Sequence, residues 1–139
     1  MNLEKAKIKK RFSEINESLS EIKRLTSVPK KDFWAKKENM AAVKYYLIQA
    51  VEATGSVCAH VAAKKYNKGV SSFGECFEVL EKEKSISKKL AKRLKEMARF
   101  RNKLIHQYWE ADNELIFDYS KNNLGDFEEF MKAIGKIIK

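Results

Sequence analysis

Apolar residues recur along most of the chain at alternating spacings of three and four, the repeat that places side chains on one face of an α-helix. The first run predicts a helix that ends before Pro29, because proline cannot continue a helix. Its apolar positions are Ile8, Phe12, Ile15, Leu19, Ile22 and Leu25. This helix should bury a single stripe.

The second run predicts a longer helix that starts near Asp32. Its apolar face is formed by Met40, Val43, Leu47, Ala50, Thr54, Val57 and Val61. Small residues around this face, such as Gly55 and Ala59, permit a neighbouring helix to come close. A turn is predicted over Tyr66–Ser71, which contains Asn67 and Gly69.

Three further helices follow the turn. Ser72 and Glu75 have the spacing of a capping box and open a short third helix, which Glu81–Ser85 breaks. A fourth helix should run from about Ser87 to Tyr108. A fifth, capped near Asp112, carries Leu115, Ile116, Tyr119, Leu124, Phe127, Phe130, Ile134 and Ile137. The pattern predicts one all-α domain over residues 1–139, an antiparallel bundle of about five helices.

Composition narrows the functional classes. Twenty-nine Lys and Arg against 19 Asp and Glu leave a formal charge of +10, which favours a polyanionic partner over the simpler reading of a basic soluble protein. No apolar run is long enough to span a bilayer, and two cysteines do not form a disulfide framework. We expect a cytoplasmic protein with no membrane association. Without a HxxxH or CxxC pattern, we expect no metal site.

One position interrupts the apolar stripe of the fourth helix. The stripe runs through Leu90, Leu94, Met97, position 101, Leu104 and Tyr108, and position 101 is an arginine. An unpaired buried guanidinium costs several kcal/mol, on the order of a whole stability margin. Arg101 should therefore either pair with a buried carboxylate, for which Glu52 on the second helix is a candidate, or face a groove that receives an anion. The two readings are compatible.

Polar residues cluster around Arg101. His106 lies about 140° around the helix from it and stacks over Asn102, while Tyr108 returns to the face of Arg101. Taken alone, this group is also compatible with a surface without function.

The residues 101–108, Arg-Asn-Lys-Leu-Ile-His-Gln-Tyr, resemble the R-x4-H-x-Y motif of HepT-like proteins of the HEPN superfamily. The resemblance extends from about Lys31 to the C-terminus and includes Ala42–His60 and Ser71–Phe77. Tyr45 and Tyr46 depart from the family pattern, since many relatives carry polar residues there. The resemblance implies the HEPN fold, a dimer and a ribonuclease.

In that family RNA is thought to be cut by attack of its 2′-hydroxyl on the neighbouring phosphate, which leaves a 2′,3′-cyclic phosphate. The resemblance assigns proton transfer to His106, stabilisation of the phosphorane to Arg101 and substrate orientation to Asn102. It implies no metal and no cofactor. A homodimer would bring two motifs together into one composite site.

The resemblance also implies a partner and a modification. HepT-like proteins pair with an MntA-type nucleotidyltransferase antitoxin, which attaches AMP to the motif tyrosine, here Tyr108. A bulky anionic AMP would block RNA and cancel positive charge. The alternative for Tyr108 is packing against Trp109 or the stripe.

Two rival functions remain open at this point. One is a non-catalytic HEPN subunit that presents a nucleotide or substrate to a nucleotidyltransferase, and the other is a plain RNA-binding bundle. Arg101 and His106 favour the toxin, because a binding subunit needs neither. His60, Cys58 and Cys76 are read as packing residues.

Overall fold

The computed structural model describes residues 3–106 and 112–138, and within these ranges it contains seven α-helices and no β-strand. The helices are α1 Lys5–Thr26, α2 Lys30–Trp34, α3 Lys37–Tyr66, α4 Phe73–Lys82, α5 Lys88–His106, α6 Asn113–Asn122 and α7 Gly125–Ile137. The prediction of an all-α antiparallel bundle is confirmed, with two of the predicted helices each divided.

Helix α3 is the centre of the bundle and contacts every other helix of the described chain. It buries residues on several sides, including Val43, Ala50, Val51 and Cys58, as expected for a helix surrounded by others. The largest fully buried side chains are Phe33, Phe77, Phe127 and Phe130. All long helices therefore share one core.

The predicted second helix begins differently from the expectation. A short α2 precedes α3, and Lys36 between them has extended backbone angles, φ −124° and ψ 121°. The side-chain amide of Asn39 donates to the Phe33 carbonyl at 2.9 Å. Phe33 is fully buried. The short α2 thus contributes Phe33 to the core ahead of the break.

Both helix ends around the predicted turn are formed by local hydrogen bonds. Asn67 closes α3 in the left-handed conformation with φ 55°, and the Lys68 amide donates to the Ala62 carbonyl at 2.9 Å. Ser72 caps α4 by accepting from the Glu75 amide at 3.1 Å. The Glu75 carboxylate accepts from the Ser71 hydroxyl at 2.8 Å. Only one half of the expected capping box is therefore formed.

The predicted fifth helix is divided into α6 and α7 at Asn123 and Leu124. Asp112 caps α6, as expected, by accepting from the Leu115 amide at 3.2 Å. The placement of Leu115 on the buried stripe is wrong, because its side chain is 54% exposed. The buried face of α6 is formed by Ile116, Phe117 and Ser120.

Helix α5 starts as predicted, with the Ser87 hydroxyl accepting from the Leu90 amide at 3.0 Å. Its last described residue is His106, so the predicted end at Tyr108 lies outside the described residues. In the described part of the chain, no helix combines the length and the apolar character that crossing a membrane requires.

Candidate functional site

Arg101 lies at the edge of the core, on the face of α5 that buries Leu94, Met97, Ala98 and Leu104. Its side chain is only 20% exposed. The helix repeat carries the guanidinium toward α3 and α4, where an aliphatic residue would otherwise pack. A permanently charged group is therefore held at the boundary between the core and the solvent.

Three contacts fix the guanidinium of Arg101. It forms an ion pair with Glu52 on α3. It donates from Nη1 to the side-chain oxygen of Asn102 at 2.8 Å. Its Cζ lies 5.4 Å from the centroid of the Phe73 ring, a cation–π arrangement. The buried Nε has no hydrogen-bond partner in the described part of the chain.

Glu52 is not the buried carboxylate that was expected, because its side chain is 46% exposed. The pair is therefore open to water and to solutes on one side. An anion that approaches from this side competes with Glu52 for the same guanidinium. The predicted ion pair with Glu52 is formed, and the reading of Arg101 as a group that receives an anion stays a prediction.

The Phe73 ring is positioned by Gly55 on α3. A Cβ placed on Gly55 would overlap the ring, so only glycine leaves room for it. Phe73 is the first residue of α4, and its position fixes how closely α4 approaches α3. The ring then serves as a platform for the Arg101 guanidinium.

Arg101 and Asn102 line a cleft of about 680 Å³ between α4 and α5. The polar residues of its wall are Ser71, Ser72, Glu75, Glu78, Lys95 and Arg99. Lys95 pairs with Glu78 at 3.3 Å. Arg99 is exposed and has no ionic partner among the described residues. The lining therefore carries three cationic side chains, two of which are paired with carboxylates, and Arg99 is the one without such a pair in the described part of the chain.

The sequence profile of the family described as "Ribonuclease HepT-like" matches residues 15–134. The chain belongs to this family. The match begins in α1, earlier than the resemblance recognised from the sequence, and it includes Glu52, the cleft and the motif of α5. Among curated proteins, none matches the chain significantly.

Solved structures share the fold. A chain of the tri-AMPylated Shewanella oneidensis HEPN toxin in complex with MNT antitoxin is 22% identical, with a TM-score of 0.87 over 98% of this chain and 99% of that one. A chain of the toxin–antitoxin MntA-HpeT is 21% identical, with a TM-score of 0.85 over 94% and 98%. The Bacillus subtilis cytosolic protein YutE is 18% identical, with a TM-score of 0.82 over 98% and 91%. The HepT-like chain thus has the HEPN fold.

His106 of this HepT-like chain does not reach the cleft. It is exposed at the last described turn of α5, one turn beyond Asn102, and it makes no hydrogen bond to a described residue. The motif places Arg101 against α3 and α4, while His106 is exposed at the end of the described part of α5. One described chain therefore brings Arg101 and Asn102 together at the cleft, and His106 is not among the residues that line it.

Tyr108, the proposed target of AMP attachment, and Trp109 lie outside the described residues. Tyr45, one of the two departures from the family pattern, is 61% exposed and packs edge-on against Tyr46 with ring centroids 5.1 Å apart. Tyr45 lies two turns before Glu52 on the same side of α3, about 10 Å away along the helix axis.

Phe73 and Arg99 are parts of the cleft that the sequence analysis did not identify. The sequence holds a signal for Phe73, since this residue follows the Ser72 cap and since Gly55 on the preceding helix leaves room for a large side chain. Arg99 carries no such signal, because an exposed basic residue on a helix is typical of a solvated face. Among the described residues, no group of three His, Cys, Asp or Glu side chains is arranged to hold a metal ion.

Proposed function

We propose that this HepT-like chain is an endoribonuclease toxin that cleaves RNA without a metal ion, through a site composed of residues from two copies of the chain. The observation that carries the proposal is the guanidinium of Arg101. This charged group, which lies over Phe73, occupies a position of α5 where the apolar repeat would place an aliphatic side chain. It is well placed to receive a phosphate.

The proposed reaction is an internal transesterification. The 2′-oxygen of one nucleotide forms a bond to the adjacent phosphorus, the bond from phosphorus to the 5′-oxygen of the next nucleotide breaks, and a 2′,3′-cyclic phosphate remains. His106 removes the proton from the 2′-hydroxyl or supplies one to the leaving 5′-oxygen, since an imidazole exists in both protonation states near neutral pH. Arg101 stabilises the negative charge of the phosphorane, and Asn102 orients the phosphate.

The position of His106 outside the lining of the Arg101 cleft supports a homodimer. One imidazole cannot serve at once as the base and the acid of a concerted transfer. A twofold dimer supplies a second imidazole and a second guanidinium. The composite site then holds two basic motifs around one RNA strand.

The proposed partner is an MntA-like nucleotidyltransferase antitoxin. Structures similar to this chain are a HEPN toxin in complex with MNT antitoxin and the toxin–antitoxin MntA-HpeT, and the first of these toxins is tri-AMPylated. Attachment of AMP to Tyr108 would add bulk and negative charge two residues from His106. Both effects oppose the binding of RNA, so the modification would neutralise the toxin.

The test is cleavage of a mixed RNA pool in EDTA by the wild-type protein, His106→Ala and Arg101→Ala. Lys92→Ala is the matched control, because Lys92 is exposed on the same helix and lies outside the cleft. We expect cyclic phosphate ends from the wild type and the control only. Losses of about 100-fold or more are typical when a general acid or base is removed. Cleavage that survives His106→Ala, or that requires Mg²⁺, would overturn the mechanism.

The alternative is a non-catalytic HEPN subunit that presents a nucleotide or substrate to a nucleotidyltransferase. It is favoured by the complexes in which the similar structures occur. Under this alternative the wild type leaves RNA intact but binds the nucleotidyltransferase, and Arg101→Ala weakens that binding while His106→Ala does not.

A further inference from the structure

A second basic cavity lies between α1 and α3, apart from the Arg101 cleft. Its volume is about 320 Å³. The polar residues that line it are Lys7, Lys10, Arg11, Ser56 and His60. None of them belongs to the R-x4-H-x-Y motif, and none lines the Arg101 cleft.

The cations of this cavity come from one face of α1. Lys7, Lys10 and Arg11 are spaced by three and four residues and therefore lie side by side. Lys7 pairs with Glu4 and Arg11 with Glu14, each at 2.8 Å, but these pairs lie at the surface and are weak. Lys10 has no ionic partner in the described part of the chain. The cavity is therefore open to an external anion.

His60 lines the cavity and also contacts the beginning of α1. Its Nε2 accepts a hydrogen bond from the Glu4 backbone amide at 3.0 Å, which fixes the beginning of α1 against α3. With Nε2 as the acceptor, the ring proton of the neutral imidazole resides on Nδ1. Ser56 lies one helical turn before His60 and supplies a hydroxyl group beside it. These donors supplement the three cations.

The position of the cavity relates it to Arg101. Glu52, the partner of Arg101, and Ser56 and His60 of the cavity are spaced by four residues and follow one line along α3. At about 1.5 Å of rise per residue, the cavity lies roughly 6 to 12 Å along the helix from the Arg101 ion pair. A single nucleic acid strand can contact both places at once.

We propose that the α1–α3 cavity binds a backbone phosphate of the same RNA strand whose scissile phosphate meets Arg101. This inference rests on the proposed ribonuclease function. The chemistry of the cavity suits a phosphate rather than a base, since its polar lining is cationic and hydroxylic and contains no aromatic ring except the imidazole of His60. The contact should therefore increase affinity for RNA without selecting a sequence.

Helix α1 offers a matched pair of variants. Lys7→Ala/Lys10→Ala removes two cations that line the cavity. Lys5→Ala/Lys9→Ala removes the same charge from the same helix, but these residues lie around the other side of Ile8 and do not line the cavity. Both pairs of side chains are exposed, so neither variant should unfold the protein.

The first measurement is the affinity of the protein for a labelled single-stranded RNA at several salt concentrations. Every protein in this series carries His106→Ala, which prevents cleavage. We expect Lys7→Ala/Lys10→Ala to weaken binding by roughly 10-fold or more and to reduce the slope of log K against log salt by about 1. Lys5→Ala/Lys9→Ala should change affinity by less than about 3-fold. Equal effects of the two variants would overturn the proposal.

The second measurement separates this inference from the ribonuclease proposal. With His106 intact, Lys7→Ala/Lys10→Ala should lower kcat/KM for a long RNA and leave kcat/KM for a dinucleotide unchanged. Equal losses on both substrates would overturn the cavity proposal. If the wild type cleaves neither substrate, the ribonuclease proposal fails, while the affinity measurement still tests the cavity.

The third measurement identifies the source of the phosphate. Inorganic phosphate is added to the RNA complex as a competitor. We expect inorganic phosphate to displace the RNA only at high concentrations, at which sodium chloride of equal ionic strength has the same effect. Sodium chloride is therefore the control. Displacement by micromolar inorganic phosphate would make the cavity a site for a small free anion and would overturn the proposal.

Discussion

The ring of Phe73 lies against the backbone of Gly55, in the space that the Cβ of any other residue would need. The same ring has the Arg101 guanidinium over it, with Cζ 5.4 Å from its centroid. The position of the charged group thus depends on a residue of a different helix that has no side chain. This relationship joins the packing of α3 and α4 to the candidate site.

Replacing Gly55 by Ala should destabilise the protein although alanine is the better helix former. The added methyl group must displace Phe73, and overpacking of this kind costs about 1 to 3 kcal/mol. The gain in helix propensity offsets only about 1 kcal/mol of this. The free energy of unfolding, measured by urea denaturation, should fall, and RNA cleavage should fall with it because Arg101 loses its platform.

Gly135→Ala is the control for this change. Gly135 lies inside α7, and a Cβ there meets no atom within 4 Å. We expect a gain of about 0.5 to 1 kcal/mol in the free energy of unfolding and unchanged cleavage. If Gly55→Ala also stabilised the protein, the close contact with Phe73 would not be a constraint.

Glu52→Gln should separate the binding of RNA from its cleavage. The substitution keeps the shape of the side chain but removes the charge that competes with phosphate for Arg101. We expect KM for RNA to fall by a few fold and kcat to fall by about 10-fold, because the guanidinium is less well oriented. Steady-state kinetics on one defined RNA measure both constants.

Glu78→Gln provides the comparison for Glu52→Gln. Glu78 lines the same cleft but pairs with Lys95 rather than with Arg101. The change in charge is identical, so KM should fall here too, while kcat stays within about 2-fold of the wild type. An equal loss of kcat in both variants would refute an orienting role for Glu52.

Arg93→Met should weaken the contact between α5 and α7. Arg93 donates to Asp126 at 2.8 Å and to Glu129 at 2.5 Å. Burial raises the pKa of Asp126, and the neighbouring Arg93 opposes that rise. Removing Arg93 leaves a nearly buried carboxylate without its partner. The free energy of unfolding at pH 7 should fall by about 1 to 3 kcal/mol.

The loss caused by Arg93→Met has a defined pH dependence. A carboxyl whose folded-state pKa is raised binds more protons in the folded state, so the destabilisation should diminish as the pH falls and Asp126 becomes protonated. Arg93→Met/Asp126→Asn should recover part of the stability at pH 7. Arg24→Met, which breaks the exposed pair with Glu21, should cost much less stability than Arg93→Met. Similar losses of stability in Arg93→Met and Arg24→Met would show that the burial of Asp126 does not make its ion pair with Arg93 more important than an exposed pair.

His60 should make the stability of the protein sensitive to mild acid. Burial lowers the pKa of His60 below its ordinary value of 6.5, and Lys7 and Lys64 lower it further while Glu4 opposes them. The unfolded chain therefore binds a proton more readily than the folded chain. The free energy of unfolding should decline as the pH falls from above 6.5 toward the lowered folded-state pKa.

His60→Gln tests this dependence by difference. Glutamine can still accept from the Glu4 amide but does not titrate in this range. The stability of the wild type relative to His60→Gln should decrease as the pH falls below about 6.5, where the imidazole of the unfolded chain becomes protonated. Urea denaturation of both proteins at a series of pH values measures this difference. A difference that is independent of pH would contradict the lowered pKa of His60.

Local patterns predicted the helices that local interactions determine. The repeat in α1 and its end before Pro29, the Ser72 cap of α4 and the Asp112 cap of α6 depend on neighbours in the sequence, and all were predicted correctly. The break at Lys36 has no such signal. Phe33, in the short helix before the break, packs against Phe117 of α6 with ring centroids 4.8 Å apart, a contact between residues far apart in the sequence.

The candidate site divides in the same way. Arg101 was identified because a charged residue interrupts the apolar repeat of its own helix. Glu52 could then be named as a candidate partner for it. Phe73, Arg99 and the cavity beside His60 depend on how three helices pack, which the periodicity of each helix does not reveal. The roles proposed for His106, Asn102 and Tyr108 come from the resemblance to HepT-like proteins and remain predictions.

The ion pair between Glu52 and Arg101 also has a consequence for selectivity among anions. Because Glu52 is attached to the same protein, its carboxylate acts as a built-in competitor at a high effective concentration. Chloride, acetate or a free mononucleotide makes only a few contacts with the protein, and these must supply the energy that displaces the Glu52 carboxylate. A strand that is held at several phosphates displaces it with the energy of all of them, so the paired carboxylate acts as a filter that excludes the small anions of the cell and admits a polymer.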